Sequence, residues 1–123
     1  MSTVLVVDDA LFMRVAISNM LKEWGFEVVG EASNGKEAIA QYKELKPDLV
    51  TMDVTMPIMT GLEAVKHIIS YDPDAKVIMI TALGQQKKIK IAIDSGAKDF
   101  ITKPFNPEQL REVAFNVLNT VKN

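Results

Sequence analysis

Five residues carry side chains that could do chemistry together: Asp8, Asp9, Asp53, Thr81 and Lys103. Each ends, or directly follows, a short apolar run rich in β-branched residues: Val4-Leu5-Val6-Val7, Leu49-Val50-Thr51-Met52, Val77-Ile78-Met79-Ile80 and Phe100-Ile101-Thr102. Carboxylates gathered in one crevice repel one another, which raises their proton affinity and costs stability unless a cation sits among them. Oxygen ligation without His or Cys suits Mg²⁺ or Mn²⁺, and Mg²⁺ in particular takes one or two carboxylates, water and a phosphate oxygen. With such an ion present, one carboxylate can attack phosphorus to form an acyl phosphate, and Asp53 is the candidate nucleophile. Phosphoryl transfer asks a protein mainly to hold groups in line and to neutralise charge on the equatorial oxygens. The ion, the Lys103 ammonium and the Thr81 hydroxyl would supply that neutralisation.

These residues can cooperate only if the chain brings the run ends together. Each apolar run is followed by a stretch in which apolar residues return every three or four positions, so the pattern is five repeated βα units. Strands are predicted at 3–7, 27–31, 49–52, 76–81 and 99–102. The first helix is expected over 11–24, stopping before Gly25 as its C′ residue. Asn34 should cap the second with Glu37 reaching back, and that helix should end near Lys46, before Pro47. A third is expected over 61–70 and a fourth over 85–95, ending at Gly96. The last has Asn106 as cap and Pro107 at its first position, and is expected to run to the C-terminus. The fold class that follows is α/β, a single five-stranded parallel sheet with helices on both faces, forming one domain over 1–123. In open parallel sheets ligands bind beyond the carboxyl ends of the strands, and the five residues lie there. Between Asp53 and the third helix runs Thr55-Met56-Pro57-Ile58-Met59-Thr60-Gly61, a loop that can open around a ligand.

Composition excludes other classes. The chain has 123 residues, 48% hydrophobic and 24% charged, an ordinary balance for one globular core. With no Cys, thiol catalysis, disulfides and Cys-ligated zinc are out of the question, and a reducing cytoplasm is the expected compartment. The apolar runs are far shorter than a membrane span, and the start, MSTVLVVDD, lacks the pattern of an export signal. Fourteen basic against sixteen acidic side chains give a net charge of −2, no basis for direct nucleic-acid binding. His67, the only His, falls inside a helix and reads as a surface residue; Gln85-Gln86-Lys87-Lys88 reads as the start of a solvated helix face. By base rate Phe100 is a core residue and the seven Met residues are core filler.

Five separated segments together carry a family resemblance: VVDD at 6–9; MD at 52–53 with MP at 56–57 and Gly61 beyond; TA at 81–82; GAKDF at 96–100; and KPF at 103–105. The chain resembles the receiver domain of response regulators along essentially its full length. Its length, residues 82–86 and the VTMD and TMP segments resemble the CheY-like chemotaxis members. The resemblance implies the flavodoxin-like strand order 2-1-3-4-5, and a two-component switch in which a histidine kinase, CheA-like in chemotaxis, phosphorylates Asp53. It implies that Asp9, Asp53 and the Thr55 backbone carbonyl hold Mg²⁺, with Asp8 acting largely through water. It further implies that Thr81 swings toward the phosphate, that Phe100 moves inward, and that Lys103 pairs with the phosphate ahead of a cis peptide at Pro104. The implied protein is a monomer that acts on a downstream target, the flagellar motor switch in chemotaxis, with the fourth helix, last strand and last helix as the common contact surface. Three positions depart from the familiar pattern. Thr55 replaces an Asn and Leu83 a charged residue, both flanking the path of attacking water, and Phe100 replaces a Tyr.

Competing readings have sequence features against them. A haloacid-dehalogenase-type phosphatase would need a second acid two residues after the nucleophile, where Thr55 stands, and a cap domain for which the length leaves no room. A flavin-binding electron carrier would need a phosphate cradle after the first strand, where Asp8 and Asp9 would repel it. A receiver belonging to a longer transcription factor would continue into a linker beyond Asn123.

Overall fold

A computed structural model describes residues 2–82 and 84–119. Leu83 and the chain beyond residue 119, which bear on the expected water path and the expected run of the last helix, lie outside the described residues. The elements alternate as β1 (Thr3–Val7), α1 (Leu11–Glu23), β2 (Glu27–Ala32), α2 (Gly35–Leu45), β3 (Leu49–Asp53), α3 (Gly61–Tyr71), β4 (Val77–Thr81), α4 (Gln86–Asp94), β5 (Asp99–Thr102) and α5 (Pro107–Leu118). All strand pairs are parallel, and the sheet order is β2-β1-β3-β4-β5. That is the five-stranded sheet expected from the sequence.

Side-chain alternation along the central strands makes two cores. Leu5 and Val7 of β1, Val50 and Met52 of β3, and Val77 and Met79 of β4 pack with residues of α2, α3 and α4 such as Tyr42, Val65, Ile68 and Ala92. Val4, Val6, Leu49, Ile78 and Ile80 pack on the other face with Ile17 and Leu21 of α1 and Leu110 and Ala114 of α5. Every residue of β3 and β4 is buried, which is why these strands read as almost unbroken apolar runs. A fully buried Leu, Ile or Val contributes roughly 1.5–3 kcal/mol, so the two layers hold the sheet ends in place.

Local signals set the helix boundaries. Thr60 with Glu63, and Asn106 with Gln109, form reciprocal capping boxes at α3 and α5, and Pro107 sits at the start of α5. Asn34 accepts from the Glu37 amide as expected, but the Glu37 carboxylate takes the amide and hydroxyl of Ser33, each at 2.9 Å, one residue before the cap. Those hydrogen bonds hold the Glu37 carboxyl below its usual range. Three strand ends differ from the reading by one residue: β2 reaches Ala32, β3 includes Asp53, and β4 begins at Val77, where the ladder with Val50 begins.

Candidate functional site

Strand register brings the chemical side chains together. Val7 pairs with Met52, so Asp8 and Asp53, one residue further on, leave adjacent strands at the same level. Asp53 pairs with Ile80, Ile80 with Ile101 and Thr81 with Thr102, which puts Thr81 one residue and Lys103 two residues beyond that level on the next two strands. The carboxyl edge of β1, β3, β4 and β5 therefore presents Asp8, Asp9, Asp53, Thr81 and Lys103 to one crevice.

One ligand oxygen from each of Asp8, Asp9 and Asp53 lies within 4.8 Å of the others. Asp8 and Asp53 are buried and Asp9 is exposed at the crevice mouth. Lys103 Nζ stands 3.2 Å from Asp8 Oδ2 and 3.6 Å from Asp53 Oδ1, a single ammonium among three carboxylates. The other oxygen of Asp8 accepts the Ala10 amide at 2.9 Å. With both its oxygens engaged by protein donors, Asp8 fits contact with an ion through water better than direct ligation. Burial, with the neighbouring charges of Asp8 and Asp9, raises the Asp53 carboxyl from 3.8 to about 6, against the opposing pull of Lys103. Three oxygen donors, incompletely neutralised and with no nitrogen or sulfur ligand among them, fit a hard divalent cation.

Backbone contacts fix the acceptor loop. The Gly61 amide donates to the Val54 carbonyl at 2.8 Å, and a Cβ at Gly61 would overlap the Asp53 carbonyl, so only Gly allows α3 to start this close to the end of β3. Met59 donates to the Pro57 carbonyl at 2.7 Å around Ile58, whose φ of 67° is rare for a β-branched residue. Ile58 is 80% exposed. The Lys103–Pro104 peptide is cis.

Thr81 is 2% exposed and its hydroxyl donates to Gln85 Oε1 at 3.0 Å. Gln85 Nε2 in turn donates to Thr55 Oγ1 at 3.2 Å. The expectation that Gln85 begins a solvated helix face is thus corrected: Gln85 precedes α4, and its side chain turns back over the crevice because two hydroxyls and an amide offer partners there. Phe100 is not a core residue; it is 42% exposed, beside a cavity of about 140 Å³ lined by Thr81, Ala82, Gln85, Ile89 and Thr102. Thr55 lies at the crevice with its side chain exposed, and His67 is exposed on α3 as expected. Sequence reasoning also passed over Arg14, whose guanidinium donates to the Asp8 carbonyl at 2.6 Å and pairs with Glu31 at 3.2 Å, tying the acidic turn to β2. One turn of helix after the acidic pair was the available signal for it.

A parallel sheet of this order with an acid cluster at its carboxyl edge is the architecture of a phosphorylation switch, and the sequence agrees. The family model of the response regulator receiver domain matches residues 4–115, and the chain belongs to that family. Within it, the chain stands with the chemotaxis response regulators. It is 55% identical to chemotaxis protein CheY of Thermotoga maritima over 109 residues, covering 89% of this chain and 91% of that protein. It is also 55% identical to chemotaxis protein CheY of Listeria monocytogenes over 112 residues, 91% of this chain and 94% of that one. Among solved structures, a chain of the CheX–CheY–BeF₃–Mg²⁺ complex of Borrelia burgdorferi superposes with a TM-score of 0.92 at 35% identity, covering 97% of this chain and 90% of that one. The response regulator domain of Thermotoga maritima CheB gives 0.88, also at 35% identity and covering 98% of both. Proteins of this class act between a kinase and a downstream target. No helix among the described residues is long and apolar enough to cross a membrane.

Proposed function

We propose that Asp53 accepts a phosphoryl group from a phosphohistidine of a CheA-like kinase, and that the acyl phosphate switches the binding of a target such as the flagellar motor switch. The observation that carries this reading is the single crevice in which Asp53, 8% exposed, lies beside Lys103 and within ligand distance of Asp8 and Asp9. A divalent ion held by Asp9, Asp53 and the Thr55 carbonyl would neutralise the incoming phosphoryl oxygens. Mg²⁺ is the ion that the oxygen donor set favours, and the Borrelia burgdorferi complex, which contains Mg²⁺, supports that choice.

In the transfer, an Asp53 carboxylate oxygen attacks phosphorus, the P–N bond of the donor breaks, and its imidazole leaves with the electron pair. Lys103 moves its ammonium from Asp8 and Asp53 to a phosphoryl oxygen, and Thr81 donates its hydroxyl to another. Phe100, which lines the cavity beside Thr81, moves further into it when that hydroxyl moves. The chain then acts as a switch and not as a turnover enzyme. Thr55 supports this against the phosphatase reading, since no second acid stands two residues after Asp53.

Intact-mass measurement after incubation with acetyl phosphate and Mg²⁺ tests the assignment. One labile phosphoryl group is expected on the wild type and none on Asp53→Asn; undiminished labelling of the variant refutes it.

A further inference from the structure

Gln85 makes a bridge across the crevice. Its Oε1 accepts from the Thr81 hydroxyl at 3.0 Å and from the Ala82 amide at 3.2 Å, while its Nε2 donates to Thr55 Oγ1 at 3.2 Å. Both lone pairs of the amide oxygen are thereby used. The bridge joins the end of β4 and the turn after it to the loop that follows Asp53. Gln85 stands in the N-cap position of α4 without capping that helix. Its side chain is committed to the two neighbouring loops instead.

The consequence for Thr81 is direct. A hydroxyl has one proton to donate, and here Gln85 Oε1 at 3.0 Å and the Ala82 carbonyl at 3.3 Å compete for it, with Gln85 the shorter contact. To donate to a group on Asp53, the hydroxyl must first leave Gln85 Oε1. We propose that Gln85 is a positioning residue that opposes phosphoryl-group binding: it stabilises the arrangement in which the Thr81 hydroxyl is bonded to Gln85 and not to a group on Asp53, and so sets how tightly the site holds a phosphoryl group. Thr55 is the other end of the same device, because its Oγ1 anchors the amide that carries the acceptor. The inference rests on the reading of Asp53 as the phosphoryl acceptor.

Beryllofluoride, which occupies an acceptor carboxylate as a phosphoryl group would, is a suitable probe in titrations of the full chain with saturating Mg²⁺, alongside titrations with Mg²⁺ alone. Gln85→Ala should bind beryllofluoride about fivefold tighter than wild type, the factor carried by one net hydrogen bond. Its affinity for Mg²⁺ alone should stay within about twofold, a split that a merely structural role for Gln85 would not produce. Thr55→Val should shift beryllofluoride affinity in the same direction by less. The double variant should be no tighter than Gln85→Ala, since both changes break one bridge. Equal or weaker beryllofluoride binding by Gln85→Ala, or a double variant whose gain is the product of the single gains, overturns the inference. Failure of the underlying reading gives a different pattern: no beryllofluoride binding by wild type, or undiminished binding by Asp53→Asn.

Discussion

Asp53 should weaken the fold it sits in, and the amount is measurable. Its carboxyl lies at about 6 in the folded chain against 3.8 for a free carboxyl, because burial and the charges of Asp8 and Asp9 outweigh Lys103. A carboxyl whose folded value is raised binds its proton more tightly in the native state, so its contribution is fully present below pH 3.8 and is lost as the pH rises through about 6. At about 1.4 kcal/mol per pH unit between the two values, ionised Asp53 costs the metal-free protein up to about 3 kcal/mol at neutral pH. Asp53→Asn removes that charge at nearly constant shape. The variant also gives up the 3.6 Å approach of Lys103, but Lys103 keeps Asp8 at 3.2 Å. The net gain should be about 1–3 kcal/mol at pH 7.5, falling to near zero by about pH 4. Urea denaturation of both proteins in EDTA, at several pH values and with equal m-values, measures it. Addition of Mg²⁺ should then stabilise the wild type and leave the variant almost unmoved, narrowing or reversing the gap. If Asp53→Asn is less stable by more than about 1 kcal/mol at pH 7.5, or if the gap does not change with pH, the carboxylate is a structural partner and the reasoning fails.

Three further outcomes follow from particular contacts. Asp9→Ala should lose most of the Mg²⁺-dependent rise in melting temperature while unfolding cooperatively at the metal-free wild-type temperature or slightly above it; an undiminished rise would remove Asp9 from the ligand set. Thr51 is fully buried in β3 and its hydroxyl has no partner among the described residues, so Thr51→Val should raise stability by about 1 kcal/mol in denaturant titration, and a loss of that size would point to a bound water. Gly61→Ala drives a Cβ into the Asp53 carbonyl and should cost about 2–3 kcal/mol and slow labelling by acetyl phosphate; wild-type stability and rate would show that α3 can shift without disturbing the acceptor.

The sequence by itself determined the architecture and the chemical inventory. Short unbroken apolar runs such as Val77-Ile78-Met79-Ile80, alternating with helical periodicity, read as strands covered on both faces, and Asn34 and Asn106 announce helix starts because a short polar side chain there meets an amide three residues on. The placement of Asp8, Asp53, Thr81 and Lys103 at one edge followed from the same periodicity, since parallel strands in near register bring their ends to one level. Only the tertiary structure decided how those groups meet. That Lys103 Nζ lies between Asp8 and Asp53, or that Gln85 reaches both Thr81 and Thr55, depends on rotamers and loop paths joining residues up to 95 positions apart. Phe100 shows the limit most plainly. An aromatic residue in a strand has the composition of core, yet β5 is one of the two edge strands of the sheet, and its outer position leaves Phe100 42% exposed. Local pattern encodes what each segment buries, whereas the distances inside the crevice are set by the packing of the whole sheet.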